Sequence, residues 1–287
     1  MGSDYANIYF DDNMNVLNEM KSGSVNLVYV DPPFNTGKIQ SRKRLETVRS
    51  EDGDRIGFKG HMYKTKVLSE QSFFDIYDDY IRFLRDRIEQ TERVLTSDGS
   101  FFLHLDYREI HYAKVMCDEV FGRESFINEI IWSYDYGGRS KSRWSAKHDN
   151  ILWYAKDPKN FTYRYDDIDR IPYMAPGLVG AEKASKGKTP TDSWWHTIVS
   201  PNGREKTGYP TQKPLGIINR IIRVHSNPGD VILDYFAGSG TTGIAALAEG
   251  RKAILVDNNH QALEVMCKRF DANQTTFHNW NCKNPTD

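Results

Sequence analysis

Four residues, Asp31-Pro32-Pro33-Phe34, follow the apolar run Val25-Asn26-Leu27-Val28-Tyr29-Val30. Their types suit the capture of a flat amino group. Asp31 offers a carboxylate acceptor. The two prolines lack N–H groups and fix φ, so the backbone is stiff and its carbonyls are bare. Phe34 offers a ring face. An exocyclic NH2 on a heterocyclic base has two donors and a planar π system, which matches this set. The same residues also fit a proline-stopped strand and a turn, so the rest of the chain must decide.

A second motif lies far downstream. Val231-Ile232-Leu233-Asp234-Tyr235-Phe236 runs into Gly238-Ser239-Gly240-Thr241-Thr242-Gly243. The spacing is G-x-G-x-x-G between a strand pattern and a helix pattern, and Asp257 ends the next strand pattern roughly 20 residues on. In that layout the glycines let the backbone approach a nucleotide and the acid takes ribose hydroxyls. The competing reading is a glycine turn kept for packing. A dinucleotide fold opens with such a unit and then adds strands. Here only enough residues follow for one further strand and helix, so the other strands must come from the N-terminal part. The sheet is therefore expected to be circularly permuted, with Asp31 to Phe34 on the strand beside the glycine strand. A base clamp beside an adenosine site suits methyl transfer from S-adenosylmethionine better than hydride transfer. NAD-dependent oxidoreduction would leave the tetrapeptide and the permuted order unexplained.

The elements that must position these motifs are legible. Strand patterns cover Ile8–Phe10, Val25–Val30, Ser100–Leu105, Ile127–Trp132, Ile151–Tyr154, Val231–Tyr235 and Ala253–Val256. Helical spacing covers Asn13–Met20, Phe74–Leu95, Ile110–Phe121, Pro214–Val224, Gly243–Ala248 and His260–Phe270. Their alternation predicts an α/β, doubly wound, mostly parallel sheet. Residues 38–71 are charged and glycine-punctuated and read as a long functional loop. Residues 156–208 lack periodicity and read as an inserted recognition region. Trp194 and Trp195 within it are expected in a small core rather than as a base platform. The organisation expected is a catalytic half at 1–155, the insertion at 156–208, a cofactor half at 209–272 and a loosely docked tail at 273–287.

Composition excludes several classes. The chain has 287 residues and a formal net charge of −1, so total charge does not announce a nucleic-acid binder. No stretch approaches the roughly 18 apolar residues of a membrane span. Met1-Gly2-Ser3-Asp4 lacks a basic segment followed by an apolar one, so no signal peptide is expected. Cys117, Cys267 and Cys282 form no CxxC pair. Neither a disulfide nor a zinc site is expected, and a cytoplasmic compartment is the default. Local charge says more. Arg42-Lys43-Arg44 is basic, as is Arg139 to Lys147, where Arg139, Lys141, Arg143 and Lys147 flank Trp144. Such a run can neutralise phosphates while its ring stacks on a base; short basic runs are also often plain solvated loops.

Taken together the chain resembles the amino-methylating DNA methyltransferases of the β arrangement, in which the catalytic motif precedes the cofactor glycine motif. The resemblance extends to Asn7 through Asp12, Asp31 through Gly37, Gly99 through Asp106, Asp118 through Gly122, Lys147 through Tyr154, and Thr207-Gly208-Tyr209-Pro210-Thr211-Gln212-Lys213-Pro214-Leu215. It implies a seven-stranded Rossmann-like methyltransferase sheet, S-adenosylmethionine as donor and no metal. It also implies double-stranded DNA as substrate, a flipped base as acceptor and a bacterial, archaeal or phage origin. A cognate restriction endonuclease and a second copy of the chain are the partners it raises. Asp at the first motif position goes with adenine N6 in this family and Ser with cytosine N4, so Asp31 favours adenine.

By the same resemblance, Asp31 and the Pro32 carbonyl accept the amino hydrogens, Pro33 holds shape and Phe34 stacks on the base. Phe236, Gly238 and Gly240 shape the turn around the cofactor, Thr241 and Thr242 bond its carboxylate and Asp257 its ribose. Asp12 serves the adenine and Lys213 the methionine end. From position rather than resemblance, His148, next to Lys147 and the basic loop, is a candidate to contact the flipped base or its phosphate, against the reading of a structural histidine. Asp11 departs from the family, which has glycine there.

Overall fold

The computed structural model describes residues 5–35, 38–49, 55–56, 62–75, 79–200 and 203–282. It contains two compact units, Met1–Phe34 with Asp79–Asp287, and Asn35–Asp78. The larger unit begins with β1 (Ala6–Phe10), α1 (Asn13–Glu19) and β2 (Val25–Val30). In β2 Leu27, Val28, Tyr29 and Val30 are all buried, as a parallel strand covered on both faces requires. The smaller unit is built from β3 (Lys38–Arg49), β4 (Arg55–Ile56) and β5 (Met62–Asp75), with β5 antiparallel to both others. This stretch, expected as a loop, is strand wherever it is described. Its sequence alternates Tyr63, Thr65 and Val67 with Lys64 and Lys66, a period of two masked by its charge.

The chain returns to the larger unit with α2 (Tyr80–Val94), β6 (Leu95–Leu105) and α3 (Ile110–Phe121). Helix α2 starts six residues later than its spacing predicts. Phe74 belongs to β5, and Asp79 caps the helix by accepting from the Arg82 backbone N–H at 3.0 Å. Its buried residues Tyr80, Leu84, Arg87, Ile88, Thr91 and Val94 form one stripe. Then come β7 (Phe126–Ser133), β8 (His148–Ala155), the short α4 (Ala181–Lys186) and β9 (Ser193–Trp195). The C-terminal part follows as α5 (Leu215–His225), β10 (Val231–Asp234), α6 (Thr241–Ala248), β11 (Lys252–Asp257), α7 (His260–Arg269) and β12 (Thr275–His278).

These strands make one sheet in the order β12-β1-β11-β10-β2-β6-β8-β7-β9. Every pairing is parallel except those of β8 with β6 and β7. The permuted order predicted from the two motifs is present, with β10 beside β2. The expected seven strands gain one short strand at each edge. At one edge Trp194 and Trp195 pair with Trp132 and Ser133, so the pair extends the main sheet; Trp194 is buried and Trp195 exposed. At the other, the tail docks as β12, with His278 stacked on Tyr9 at 4.1 Å. Cys267 and Cys282 are joined as a disulfide there, contrary to the sequence expectation. Cysteine spacing missed it because docking of β12, not a local motif, brings the two together.

Candidate active site

Strands β10 and β2 lie side by side in parallel, with Ile232 opposite Leu27 and Leu233 opposite Val28. After β10 the sheet continues through β11 on one side; after β2 it continues through β6 on the other. The chain leaves both strands at a topological switch point, where open α/β sheets bind ligands. The tetrapeptide and the glycine turn therefore emerge next to each other.

Asp31 is mostly buried, its side chain 15% exposed. Oδ2 lies 2.5 Å from the Lys213 ammonium. Oδ1 is buried and accepts no hydrogen bond from the described residues. An unpaired buried acceptor costs about 1–3 kcal/mol, so this oxygen is ready for a donor. The Tyr80 hydroxyl donates to the Pro33 carbonyl at 2.5 Å, which fixes the proline turn. The Phe34 ring lies 6.0 Å from the His104 ring and 4.8 Å from the Lys213 ammonium.

Beneath the tetrapeptide runs a buried polar chain that sequence reasoning did not assign. The Tyr29 hydroxyl is 2.7 Å from His104 Nδ1, and His104 Nε2 is 3.2 Å from Asp149 Oδ2. The Tyr134 hydroxyl donates to Asp149 Oδ1 at 3.0 Å. Burial raises both phenols, Tyr29 and Tyr134, so each keeps its proton, and Tyr134 donates its own to Asp149. Burial pushes the Asp149 carboxyl up. The hydrogen bond and charge of His104, then the Lys213 charge and the Tyr134 hydrogen bond, outweigh it, and the net shift is downward. The available signal was a histidine inside the otherwise apolar strand Phe101-Phe102-Leu103-His104-Leu105. A polar residue in such a run is buried and needs partners.

The three glycines after β10 have different reasons. Gly238 and Gly240 have φ of +51° and +75°. A Cβ on Gly238 would sit 3.1 Å from the Tyr209 ring, on Gly240 2.7 Å from Phe270, and on Gly243 2.6 Å from Leu255. The first keeps the mouth of the turn narrow and the others let α6 pack on α7 and β11. Asp257 Oδ2 accepts the Gly238 N–H at 2.7 Å and Oδ1 the Asn259 N–H at 2.8 Å. Burial raises its carboxyl to about 6 despite these N–H groups. Asp234 is raised to about 7 by burial, against the pull of the Thr242 hydroxyl and the Phe236 N–H that bond it.

Thr242 thus spends its hydroxyl proton on Asp234, 2.6 Å away, rather than facing outward. Thr241 is buried, with Oγ1 3.1 Å from Ser239 Oγ and accepting from Arg269 at 3.2 Å. Phe236 rests 6.0 Å from Phe83 of α2. Across from the turn, Phe10 pairs with Asp257, which sets Asp12 at the same edge. Asp12 caps α1 by accepting from Met14 N–H at 2.8 Å. Asp11 is absent from the residues with positive φ, so its backbone does not call for the family glycine.

Residues 207–215 bridge the two motifs, with Tyr209 against Gly238 and Lys213 on Asp31. Gln212 pins the segment: its Oε1 accepts from Thr207 N–H and Oγ1, each at 2.8 Å, and its Nε2 donates to the Glu205 carbonyl. The resemblance places Lys213 at the methionine end; the structure pairs it with the Asp31 carboxylate.

The basic loop joins β7 to β8. Because β7 runs parallel to β6 and β2, the loop stands at the sheet edge where Asp31 emerges. Arg139, Lys141, Arg143 and Trp144 are exposed, Trp144 almost completely. Arg139 pairs with Asp135 at 2.5 Å, Lys147 donates to the Tyr136 carbonyl, and His148 opens β8 opposite Ser133. Arg42, Lys43 and Arg44 lie in β3, in the smaller unit. Among the described residues no group of three or more His, Cys, Asp or Glu is arranged to hold a metal ion, and no helix is long and apolar enough to cross a membrane.

Comparison with known proteins agrees with this geometry. DNA adenine methyltransferase YhdJ of Escherichia coli (strain K12) is 29% identical over 283 residues, covering 94% of this chain and 84% of that protein. Among solved structures, PvuII DNA methyltransferase (cytosine-N4-specific) superposes with a TM-score of 0.64 at 16% identity, covering 96% of this chain and 89% of its own. The M1.HpyAVI–SAM complex gives 0.58 at 21%, covering 92% and 98%. Both share the fold. A family model described as DNA methylase matches residues 25–268. That span holds the tetrapeptide, the polar chain beneath it and the glycine turn, and with it the chain belongs to the DNA methylase family.

Proposed function

We propose that this protein transfers the methyl group of S-adenosylmethionine to the exocyclic N6 of an adenine flipped out of double-stranded DNA. The observation that carries the reading is the Asp31 carboxylate: one oxygen held, the other buried and unpaired, at the switch point beside the glycine turn. The residues fit the donor. At the turn Gly238 and Gly240 carry no side chain and pack on Tyr209 and Phe270, Asp257 stands one strand over and holds the Gly238 N–H, and Phe236 offers a ring at the turn. When bound, S-adenosylmethionine supplies an electrophilic methyl group on a sulfonium.

The chain's own part is to hold the base. A base amino group is a poor nucleophile because its lone pair is conjugated into the ring, and in a duplex it is out of reach, so the base must leave the stack. Asp31 Oδ1 and the Pro32 carbonyl accept its two hydrogens, which frees the lone pair and stabilises positive charge as it grows on nitrogen. Phe34 stacks on the base, and Tyr80 keeps the turn from yielding. No covalent enzyme intermediate is needed. Asp257 takes ribose hydroxyls, Asp12 the adenine, and Thr241 with the N–H groups at the start of α6 the cofactor carboxylate. Thr242 contributes by bracing Asp234 under the turn.

Adenine is favoured over cytosine by Asp31 itself and by the name of the YhdJ relative. Methylome sequencing of DNA from cells expressing the protein tests the reading. N6-methyladenine at one recurring sequence is expected, and N4-methylcytosine or unmodified DNA would overturn it.

Arg139, Lys141, Arg143, Lys147 and His148 are the DNA-facing set, with recognition residing in 156–208. Reversing Lys141 and Arg143 to Glu is expected to weaken DNA binding and to lower the slope of log K against log salt by about 2. Unchanged affinity and slope in a salt titration would place the DNA elsewhere. A cognate restriction endonuclease reading the same sequence, a homodimer and a cytoplasmic location complete the proposal.

A further inference from the structure

Lys213 is the only group within hydrogen-bonding distance of the Asp31 carboxylate among the described residues, and it touches one oxygen. Its side chain is 14% exposed and that of Asp31 15%, so the pair is largely withdrawn from water. Its ammonium also lies 4.8 Å from the Phe34 ring centroid, within cation–π range. One point charge therefore touches both side chains proposed to grip the base.

We infer that Lys213 is the positioning residue for Asp31: by holding Oδ2 alone, it leaves Oδ1 as the single acceptor presented to the target amino group. The inference rests on the methyl-transfer reading. The backbone at Asp31 cannot adjust, because proline follows it and restricts its ψ. Rotation of the side chain is the freedom that remains, and the ammonium removes it. Lysine suits this task and arginine does not. An ammonium is a compact charge that can satisfy one oxygen, whereas a guanidinium forks across both. Lys213 is itself fixed, by Pro214 after it and by the Gln212 bonds to Thr207 and Glu205 before it. Its positive charge opposes charge growing on the amino nitrogen, so its value lies in geometry rather than electrostatic stabilisation. Misplacement of a reacting group by about 1 Å can cost a hundredfold in rate.

The test uses the full chain and three variants, Lys213→Met, Lys213→Arg and Asp31→Asn. S-adenosylmethionine affinity is measured by calorimetry. Single-turnover methyl transfer is measured at saturating donor, on a duplex carrying the sequence found by methylome analysis. Lys213→Met is expected to slow transfer about ten- to a hundredfold, with the dissociation constant within about twofold of wild type. Lys213→Arg is expected to lose at least about tenfold, because it covers Oδ1. Wild-type rates in either variant overturn the inference. So does a donor affinity weakened more than about tenfold with the saturated rate intact, which would put Lys213 on the cofactor carboxylate instead.

Melting temperatures of Asp31→Asn, Lys213→Met and the double variant report the pair without any activity. Non-additive shifts support it and additive shifts overturn it. If wild-type protein leaves DNA unmodified, the methyl-transfer reading falls on its own, and the melting cycle still decides whether the pair exists.

Discussion

Replacing Asp31 with alanine is expected to lower the single-turnover rate of methyl transfer by at least about a thousandfold, with S-adenosylmethionine affinity within about twofold of wild type. The size follows from what is lost. Alanine removes the acceptor that draws the amino hydrogens away from the methyl donor and faces the charge growing on nitrogen. Nothing nearby can replace it. In the proposed mechanism the Pro32 carbonyl serves the other hydrogen, and the Tyr80 hydroxyl is engaged on the Pro33 carbonyl. The variant also strands the Lys213 ammonium in a mostly buried place. Some loss of melting temperature is expected, and Asp31→Asn, which keeps the volume, separates that from the chemistry. Retention of the wild-type rate by Asp31→Ala would sink the mechanism.

Asp257 carries the second large effect. Its carboxylate ties the Gly238 N–H on one side and the Asn259 N–H on the other, so Asp257→Ala removes the proposed ribose acceptor and loosens the glycine turn at once. The S-adenosylmethionine dissociation constant is expected to rise at least about a hundredfold, since two charge-assisted bonds are worth about 1.5–3 kcal/mol each. An unchanged constant by calorimetry would refute the ribose role.

A pH dependence follows from the same residue. With the carboxyl raised to about 6 by burial, donor affinity should fall as pH drops below that value, because the protonated acid accepts ribose hydroxyls poorly. The linkage to stability has the opposite sense. The folded state holds this proton more tightly than the unfolded chain, with its ordinary value of 3.8. The contribution is therefore fully present below 3.8 and disappears as pH rises through about 6. Mild acid should weaken the cofactor while this one carboxyl's contribution to the fold grows.

Much of this site could be read from the chain because its parts are local. Asp31-Pro32-Pro33-Phe34 and Gly238 to Gly243 are contiguous, and their order along the chain already dictated a permuted sheet with β2 beside β10. What escaped were relations between distant residues. His104 and Asp149 sit 45 positions apart and meet because β6 and β8 pair. Lys213 and Asp31 are separated by 182 positions. The direction of the Thr242 hydroxyl depends on Asp234 beneath it, which the glycine pattern does not encode. The charged stretch at 38–71 read as loop because lysines obscured an alternating pattern, and β12 escaped because an edge strand of four residues owes its existence to its neighbour β1.

The permuted order also governs when the molecule can assemble. Val231 and Asn26 are hydrogen-bonded across 205 positions, and β1 waits for β11 and β12, which lie later still. Ribosomes add roughly 5–20 residues per second, so the flank of β2 stays open for about ten to forty seconds after its own synthesis. Throughout that interval an apolar strand presents an unpaired edge, the kind that recruits other chains. Yield of native protein should therefore depend on what shields that edge in the nascent chain as much as on the stability of the finished sheet.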